Sequence, residues 1–368
     1  MTEHIGRPQR GERIVTALSG GVDSSVAALL LVQAGFDVVG VTLQLQPCDE
    51  AQIAEACCGT EAIAAAQAAA AKLGIPHQIL DGRRDFEDLV LRPAWDEYAR
   101  GRTPNPCLVC NERIKFGVLL DRARELGARR IATGHYARIE FDTAGAPILL
   151  RGVDPSKDQA YFLAGLSHQQ LLHSIFPLGQ LRKSEVRALA EQHELPNARR
   201  TESQDACLIT PGDNFAEVLR LRFGGQAVSG NIVDVEGNVL SDHHGLHQFT
   251  IGQRKGLGGG FARRTWVKAI DRNTGNVIIT DQAQNLNSRS LLASGMNWIA
   301  PPVAGAPTEC QVQTRYRQAA VDARFECDPS GAVRVTFHQP LRAVAPGQAA
   351  VLFRGDLVLG RGWIDAAE

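Results

Sequence analysis

The chain has 368 residues, of which 44% are hydrophobic and 21% charged, and this length predicts two or three domains. No apolar run approaches the ~20 residues of a membrane-spanning helix, and the polar N-terminus MTEHIGRPQRGER lacks the apolar segment of a secretory signal. We therefore expect a cytoplasmic protein with no membrane partner, and the formal net charge of -1 gives no global indication of nucleic-acid binding.

Up to residue 207 the chain alternates short apolar strands with helices. Strands are predicted at Ile14–Leu18, Val38–Leu43, Ile75–Leu80 and Arg130–Thr133, and helices at Ser24–Gln33, Glu61–Leu73, Phe86–Tyr98, Asn111–Leu126 and Ser184–Glu194. Asn111 and Ser184 are the residue types that cap helix N-termini, so we predict them as caps. This alternation is typical of an α/β fold with a parallel sheet covered by helices on both faces.

After Cys207 the pattern changes. A short helix at Asn214–Arg222 is followed by turn signals about every ten residues. Short alternating runs at Val277–Thr280, Glu309–Thr314, Val333–Phe337 and Ala349–Phe353 indicate β barrels or sandwiches. We predict an N-terminal domain of residues 1–207 and two smaller, mainly β domains of residues 208–284 and 285–368.

The stretch SGGVDSS, residues 19–25, joins the first strand to the first helix. Gly20 and Gly21 let phosphate oxygens approach the backbone, and the free N–H groups of a helix start favour an anion. Asp23 would be a helix cap or would act through Mg²⁺. A bare glycine pair would be read as a plain turn, but the complete motif favours nucleotide binding. It has no Walker lysine and resembles the loop of ATP pyrophosphatases that cleave between the α- and β-phosphates.

Cysteines form the second candidate site. The eight cysteines are Cys48, Cys57, Cys58, Cys107, Cys110, Cys207, Cys310 and Cys327. Two prolines predict an extended segment that enters the Asn111 helix, which places Cys110 at a helix N-terminus, where a thiolate is favoured. Cys107, Cys110 and Cys207 are compatible with buried thiols, with a metal or iron–sulfur site, or with sulfur chemistry.

A local basic run lies between Arg254 and Arg272. It holds six cations, Arg254, Lys255, Arg263, Arg264, Lys268 and Arg272, and one acid, Asp271. Such a run is compatible with an RNA contact and with a solvated face, and the pattern leaves both open.

Eight motifs in order then point to one family. They are SGGVDSS, GRTPNPCLVCNERIKF, ATGHYAR, KDQAYFL, ESQDAC, IGQRKGLG, TRYRQ and AVAPGQAAV. Over nearly its whole length the chain resembles the tRNA-specific 2-thiouridylases, in the variety with Cys-x-x-Cys in the TPNPC motif. The resemblance implies a pyrophosphate-loop domain of the adenine nucleotide alpha hydrolase type, and replacement of O2 of the wobble uridine of tRNA by sulfur, with ATP and Mg²⁺.

The resemblance also implies roles at the matching positions. ATP would lie against Ala17, Leu18, Ser19, Gly20, Gly21, Val22, Asp23, Ser24, Leu43 and Gly134. Cys110 would be the nucleophile, and Cys207 would carry sulfur as a persulfide loaded by a donor or sulfur-relay protein. The target base would lie against Asn105, Pro106 and Cys107, and the tRNA would contact His135, Lys157, Asp158, Gln159, Arg315, Tyr316 and Gln348.

Alternatives remain at several of these positions. On the residues alone, His135 is compatible with a structural histidine, KDQ with a solvated turn and Arg315–Tyr316 with an exposed strand pair. Many members of the family have Asp at the position of Cys107, where it would shuttle a proton. With cysteine there, Cys107, Cys110 and Cys207 would suit a [4Fe–4S] cluster, whereas a metal-free route would form a Cys110–Cys207 disulfide. A competing hypothesis is a pyrophosphate-loop ligase of a small molecule, and another is an RNA-binding or sulfur-carrier module without catalysis.

Overall fold

The computed structural model describes residues 8–45, 60–201, 214–224, 227–258, 263–302 and 307–368. The chain divides into two compact units. Unit 1 comprises Met1–Val90, Cys107–Asp213 and Asp356–Val358, and unit 2 comprises Leu91–Pro106, Asn214–Gly355 and Leu359–Glu368. Within the described ranges no helix is both long and apolar enough to span a membrane.

Unit 1 is built on a parallel sheet. The strands of unit 1 are β1 (Arg13–Ala17), β2 (Asp37–Gln44), β3 (His77–Asp81), β4 (Arg130–Ala132), β5 (Ala137–Phe141), β6 (Pro147–Arg151) and β7 (Ser174–Ile175). The sheet has the order β3-β2-β1-β4-β7, and β5 and β6 form an antiparallel hairpin. Val15 of β1 pairs with Val39 of β2 on one side and with Ile131 of β4 on the other. The predicted parallel sheet is therefore confirmed.

Helices follow the strands. They are α1 (Val22–Gln33), α2 (Thr60–Leu73), α3 (Arg83–Phe86), α4 (Arg92–Ala99), α5 (Pro106–Cys110), α6 (Leu119–Glu125), α7 (Ala160–Leu163), α8 (His168–Leu172), α9 (Lys183–Gln192) and α10 (Phe215–Phe223). Two π-helical segments, Glu87–Leu91 and Asn111–Val118, join α3 to α4 and α5 to α6. Gly35 and Gly74, which follow α1 and α2, have positive φ, as helix ends require.

The first helix packs against the last helix of unit 1. Val22, Val26 and Leu29 of α1 share an apolar cluster with Val186 and Ala190 of α9. The predicted Ser184 cap is wrong, because α9 begins one residue earlier, at Lys183. There the Lys183 N–H donates to Asp154 Oδ2 at 2.9 Å. This helix start lies beside the loop that follows β1.

Unit 2 contains α4, α10 and most of the β structure. Strands β8 (Gly230–Val233), β9 (Val239–His243), β10 (Trp266–Asp271) and β11 (Asn276–Thr280) form a sheet in the order β10-β11-β8-β9. Its apolar cluster includes Ile232, Val267 and Ile279. Segment 91–106 is attached by aromatic contacts, with ring centroids of Trp95 and His247 5.6 Å apart.

The rest of unit 2 is a barrel. Strands β12 (Asn287–Trp298), β13 (Thr308–Gln313), β14 (Val321–Cys327), β15 (Val333–Arg342), β16 (Ala349–Arg354) and β17 (Leu357–Ala367) follow one another in the chain. Among the described strands the order is β12-β15-β14-β13-β16-β17, and pairing of β12 with β17 closes the barrel. The predicted mainly β region is therefore confirmed.

Candidate active site

The sheet of unit 1 reverses its strand order beside β1. The chain runs from β1 outward through β2 to β3, and then returns to place β4 on the other side of β1. Loops after the carboxyl ends of β1 and β4 flank this reversal, which is where parallel α/β sheets bind ligands. SGGVDSS follows β1, and Gly134 follows β4. The predicted Leu43 is the penultimate residue of β2, on the other side of β1.

Two glycines are required by close contacts at this point. Gly20 has φ +75°, and a Cβ there would come within 2.2 Å of the Ala62 carbonyl oxygen. A Cβ on Gly134 would meet the backbone of Asp23 at 2.7 Å and of Ser24 at 2.8 Å. No side chain of the described residues caps the start of α1 at Gly21. This uncapped helix start fits the phosphates of a nucleotide.

The serines and Val22 support the loop from within. Ser24 Oγ donates to the Gly21 carbonyl at 2.9 Å and accepts from the Ser19 N–H at 3.2 Å. Val22 is 5% exposed and belongs to the α1–α9 cluster, so only its backbone is available to a ligand. The predicted loop residues therefore form one local structure.

Asp23 is neither a cap nor isolated. It is the second residue of α1, so the helix-cap interpretation is wrong. Its Oδ1 pairs with Lys183 Nζ at 2.6 Å and accepts from the Tyr136 hydroxyl at 2.7 Å. Lys183 is 8% exposed, so a buried cation stands at the start of α1 beside the carboxylate. A lysine from α9 thus lies beside a loop whose own motif contains none.

The cysteine pair lies on a continuous helical stretch rather than at its start. Pro106 is the first residue of α5, where a proline is favoured, and Cys110 is the last. The predicted Asn111 cap and the predicted position of Cys110 at a helix N-terminus are therefore wrong. Cys110 is 8% exposed, and burial raises the pKa of its thiol to about 11, opposed by the charge of Lys115. Burial thus opposes the predicted thiolate at Cys110.

Lys115 is the cation shared by this cluster. It lowers the pKa of the Cys107 thiol, although burial dominates and raises that pKa overall. His135 feels the same charge, and burial together with Lys115 holds the pKa of its imidazole well below the ordinary value. His135 Nδ1 lies 2.7 Å from Thr133 Oγ1, and its ring packs against Phe116 and Phe176. His135 is therefore a neutral, buried group beside the cysteines' helix, and its contact with tRNA stays a prediction.

The KDQ segment is anchored inside unit 1. Asp158 Oδ2 pairs with Arg151 at 2.7 Å, and Oδ1 accepts from the Gly152 N–H at 3.0 Å. Gln159 Oε1 accepts from the Tyr136 N–H at 3.0 Å. These contacts give Asp158 and Gln159 a structural role, and tRNA contacts of Lys157, Asp158 and Gln159 stay predictions.

In unit 2, three of the sequence motifs meet at one place, which we call the motif junction. It joins Thr103–Pro104 of GRTPNP, Gly252 of IGQRKGLG with the preceding Thr250, and Ala343–Gln348 of AVAPGQAAV. The Thr103 N–H donates to the Pro346 carbonyl at 2.8 Å, and Gln348 Nε2 donates to the Pro104 carbonyl at 2.8 Å and to the Thr103 carbonyl at 3.2 Å. The junction fixes the chain just before the buried Asn105 and the predicted base contacts Pro106 and Cys107.

Arg315 and Tyr316 lie in the turn between β13 and β14, not in the exposed strand pair considered above. Thr314 Oγ1 donates to Gln318 Oε1 at 2.8 Å, which closes the turn. Arg315 is exposed, and the Arg317 guanidinium lies 5.7 Å from the centre of the Tyr316 ring. The turn thus presents cations and an aromatic ring to solvent.

The remaining cysteines give no metal centre in the part of the chain that the structure describes. Cys207, with Cys48, Cys57 and Cys58, lies outside the described residues. Cys107, Cys110, Cys310 and Cys327 are free thiols. No group of three or more His, Cys, Asp or Glu side chains among the described residues is arranged for a metal ion. Of the three cysteines that would suit an iron–sulfur cluster, the structure therefore describes two, Cys107 and Cys110.

Lys183 is the main residue that sequence reasoning missed. It stands 160 positions from Asp23, and no spacing rule connects the two. The available signal was a lysine at the start of an amphipathic helix, but cations are favoured at helix C-termini, so a buried N-terminal lysine implies a nearby anion.

Comparison with protein families gives three matches along the chain. The tRNA methyl transferase HUP domain model matches residues 12–211. A PRC-barrel domain model of the same series matches residues 220–281. An aminomethyltransferase β-barrel domain model matches residues 288–364. The matches support a parallel-sheet domain followed by two β domains.

Curated relatives match over nearly the full length. The tRNA-specific 2-thiouridylase MnmA of Trichlorobacter lovleyi is 45% identical over 358 residues, covering 96% of this chain and 98% of that protein. The protein of the same name from Geotalea uraniireducens is 42% identical over 362 residues, covering 97% and 96%. Among solved structures, an NMN synthetase from Francisella tularensis aligns with 59% of this chain and 79% of its own chain at 18% identity. Its TM-score of 0.33 is too low to support an inference.

Proposed function

Because the chain belongs to the tRNA-specific 2-thiouridylase family, we propose that it replaces O2 of the wobble uridine of tRNA by sulfur at the expense of ATP. Family membership makes it a tRNA sulfurtransferase. The observation that carries the proposal for ATP is the uncapped start of α1, with Gly20 at φ +75° and the buried Lys183 beside it. This geometry favours a polyphosphate over a neutral ligand.

In the first step, O2 of the uridine attacks the α-phosphorus of ATP. The bond between the α-phosphorus and the bridging oxygen breaks, and pyrophosphate leaves. Backbone N–H groups of the loop would hold the pyrophosphate, and Lys183 would turn from Asp23 to the phosphates. Asp23 would then be available to Mg²⁺, which prefers carboxylate oxygens and would neutralise the phosphates. The product is a base whose O2 carries AMP as a leaving group.

In the second step, the outer sulfur of a persulfide on Cys207 attacks C2, and AMP leaves with the original oxygen. Cys110, as a thiolate, then attacks the inner sulfur of Cys207. The bond between the inner sulfur of Cys207 and the outer sulfur breaks, the outer sulfur stays on C2, and a Cys110–Cys207 disulfide forms. A thiol reductant must restore both cysteines, and a donor or sulfur-relay protein must reload Cys207. No step of this route passes through an iron–sulfur cluster.

The tRNA would be bound by unit 2 and its anticodon base taken into the site, because a reacting base must leave its stack. Arg315 and Tyr316 would serve this binding directly, whereas Gln348 would hold the segment that precedes the base contacts. Asn105, Pro106 and Cys107 would lie against the base. Exclusion of water would protect the adenylate from hydrolysis.

The experiment combines unmodified tRNA, ATP, Mg²⁺ and a persulfide donor, with nucleosides measured by mass spectrometry and pyrophosphate measured in parallel. The wild type should form 2-thiouridine and release AMP and pyrophosphate. Cys110→Ser and Cys207→Ser should lose 2-thiouridine yet still release pyrophosphate with tRNA. Cys327→Ser is the matched control, because Cys327 is an exposed free thiol on β14.

Three outcomes would contradict the proposal. Formation of 2-thiouridine without ATP would remove the adenylate. Absence of tRNA-dependent pyrophosphate release would favour a module without catalysis, and pyrophosphate release with a small acceptor alone would favour the small-molecule ligase. Repeating the assay with anaerobically prepared protein, with iron quantified, separates the persulfide route from a cluster route.

A further inference from the structure

A buried asparagine holds the ATP loop from behind. Asn197 is 5% exposed and lies in the turn after α9. Its Nδ2 donates to the Gly20 carbonyl at 2.9 Å and to Ser25 Oγ at 2.9 Å. One amide group thus binds the loop and the first turn of α1 together.

The Gly20 carbonyl determines where the next N–H points. Peptide bonds are planar and trans, so the carbonyl of one residue and the N–H of the next point in opposite directions. With the Gly20 carbonyl held by Asn197, the Gly21 N–H is turned to the opposite side of the loop. Gly20 has φ +75°, and glycine can flip such a peptide at little steric cost, so the observed orientation needs an external partner.

We propose that Asn197 is a positioning residue for the ATP site, which keeps the Gly20–Gly21 peptide oriented so that the Gly21 N–H faces the phosphates. This inference rests on the proposed function, because it assumes that the loop binds ATP. Arg200 assists at longer range, with Nη1 3.4 Å from the Gly20 carbonyl and 3.4 Å from the Glu61 carbonyl. Neither Asn197 nor Arg200 belongs to the SGGVDSS motif.

The test compares Asn197→Ala and Asn197→Asp with the wild type in binding of α,β-methylene-ATP and in tRNA-dependent pyrophosphate release. Aspartate keeps the shape but cannot donate, and it adds a negative charge near the phosphates. We expect the Kd of the analogue and the KM for ATP to rise ~10-fold in the alanine variant and further in the aspartate variant, because an oriented hydrogen bond is lost. The kcat at saturating ATP should stay within twofold of the wild type.

Asn214→Ala is the matched control. Asn214 Oδ1 also makes two hydrogen bonds, to the N–H groups of Ala216 and Glu217 at the start of α10 in unit 2. The Asn214→Ala variant should lose thermal stability with no change in the KM for ATP. A merely structural Asn197 would lower the amount of active enzyme, and hence kcat, at unchanged KM.

The two hypotheses fail differently. If the wild type bound neither ATP nor the analogue, the proposed function would fail. If the wild type bound the analogue and both Asn197 variants bound it equally well, the positioning role would be overturned and the ATP site would stand.

Discussion

At the residue scale, Lys183 and Asp23 make the clearest prediction. Their side chains are 11% and 31% exposed and 2.6 Å apart at the start of α1. Lys183→Gln removes the cation that would meet the phosphates and leaves the Asp23 carboxylate near them without its ion-pair partner, held by the Tyr136 hydroxyl. We expect the KM for ATP to rise ~10- to 100-fold, since hydrogen bonds to charged groups contribute about 1.5–3 kcal/mol. Pyrophosphate release at varied ATP measures this.

Lys72→Gln is the control for that substitution. Lys72 also pairs with a carboxylate of unit 1, Glu194, at 3.0 Å, but the two side chains are 42% and 82% exposed. Exposed ion pairs contribute little. An unchanged KM in Lys183→Gln, or an equal rise in Lys72→Gln, would show that Lys183 has no part in binding ATP.

Residue roles set by local backbone were predictable, and roles set by tertiary contact were not. Gly20 was predicted from the close approach of phosphates to the backbone, and the contact that a Cβ there would make with the Ala62 carbonyl also requires glycine. Lys183 reaches Asp23 only because α9 packs on α1. The raised pKa of the Cys110 thiol likewise comes from burial, which outweighs the charge of Lys115. Adjacent cations in the sequence were therefore a poor guide to that thiol.

At the element scale, apolar periodicity located β1 to β4 and most of the longer helices of unit 1 within a few residues, but it missed the strands β5, β6 and β7 and the short helices α5, α7 and α8. The other errors fall at helix starts. Asn111 looks like a cap, but Pro106 already provides a favoured first residue, and the π segment at Asn111–Val118 continues the same stretch. Likewise, the capping signal of Ser184 was overridden by Asp154, which accepts from the Lys183 N–H. Caps supplied from distant loops leave no local signal.

The motif junction makes a prediction at this scale. Gln348→Ala removes the donor to the Thr103 and Pro104 carbonyls, which loosens the segment before Asn105. Since a hydrogen bond contributes about 1 kcal/mol, we expect kcat for thiolation to fall ~5- to 20-fold with tRNA saturating. The KM for ATP should stay within twofold, because Gln348 lies in unit 2 and the ATP loop in unit 1. Steady-state kinetics in both substrates measures the effect.

Gln311→Ala is the matched control in the same barrel. Gln311 Oε1 accepts from the Gly355 N–H at 3.1 Å, so this variant also loses one barrel hydrogen bond. It should lose stability without a change in kcat. A rise in KM for tRNA alone in Gln348→Ala would instead indicate a direct contact with RNA.

At the scale of the whole molecule, charge is distributed unevenly. The net charge is -1, yet Arg254, Lys255, Arg264, Lys268 and Arg272 are all exposed in unit 2. Arg263 is also exposed, but it forms an ion pair with Asp281 at 3.0 Å. A nearly neutral protein that binds a polyanion must do so through such local excess. We therefore expect tRNA binding to weaken steeply with salt.

The number of tRNA phosphates that these cations neutralise can be determined by substitution. A variant with Arg254, Lys255 and Lys268 changed to Gln should bind tRNA more weakly, and the slope of log K against log salt should fall by about 1 for each phosphate that is no longer neutralised. Filter binding of an anticodon stem-loop and of whole tRNA over a salt series measures both slopes. Lys72→Gln is the control, because Lys72 is a surface lysine of α2 in unit 1, so this substitution changes the net charge and leaves the residues of unit 2 unchanged. If the triple variant kept the wild-type slope, these cations would be a solvated face, and the phosphates would have to be bound by other residues, of which the exposed Arg315 is the first to test.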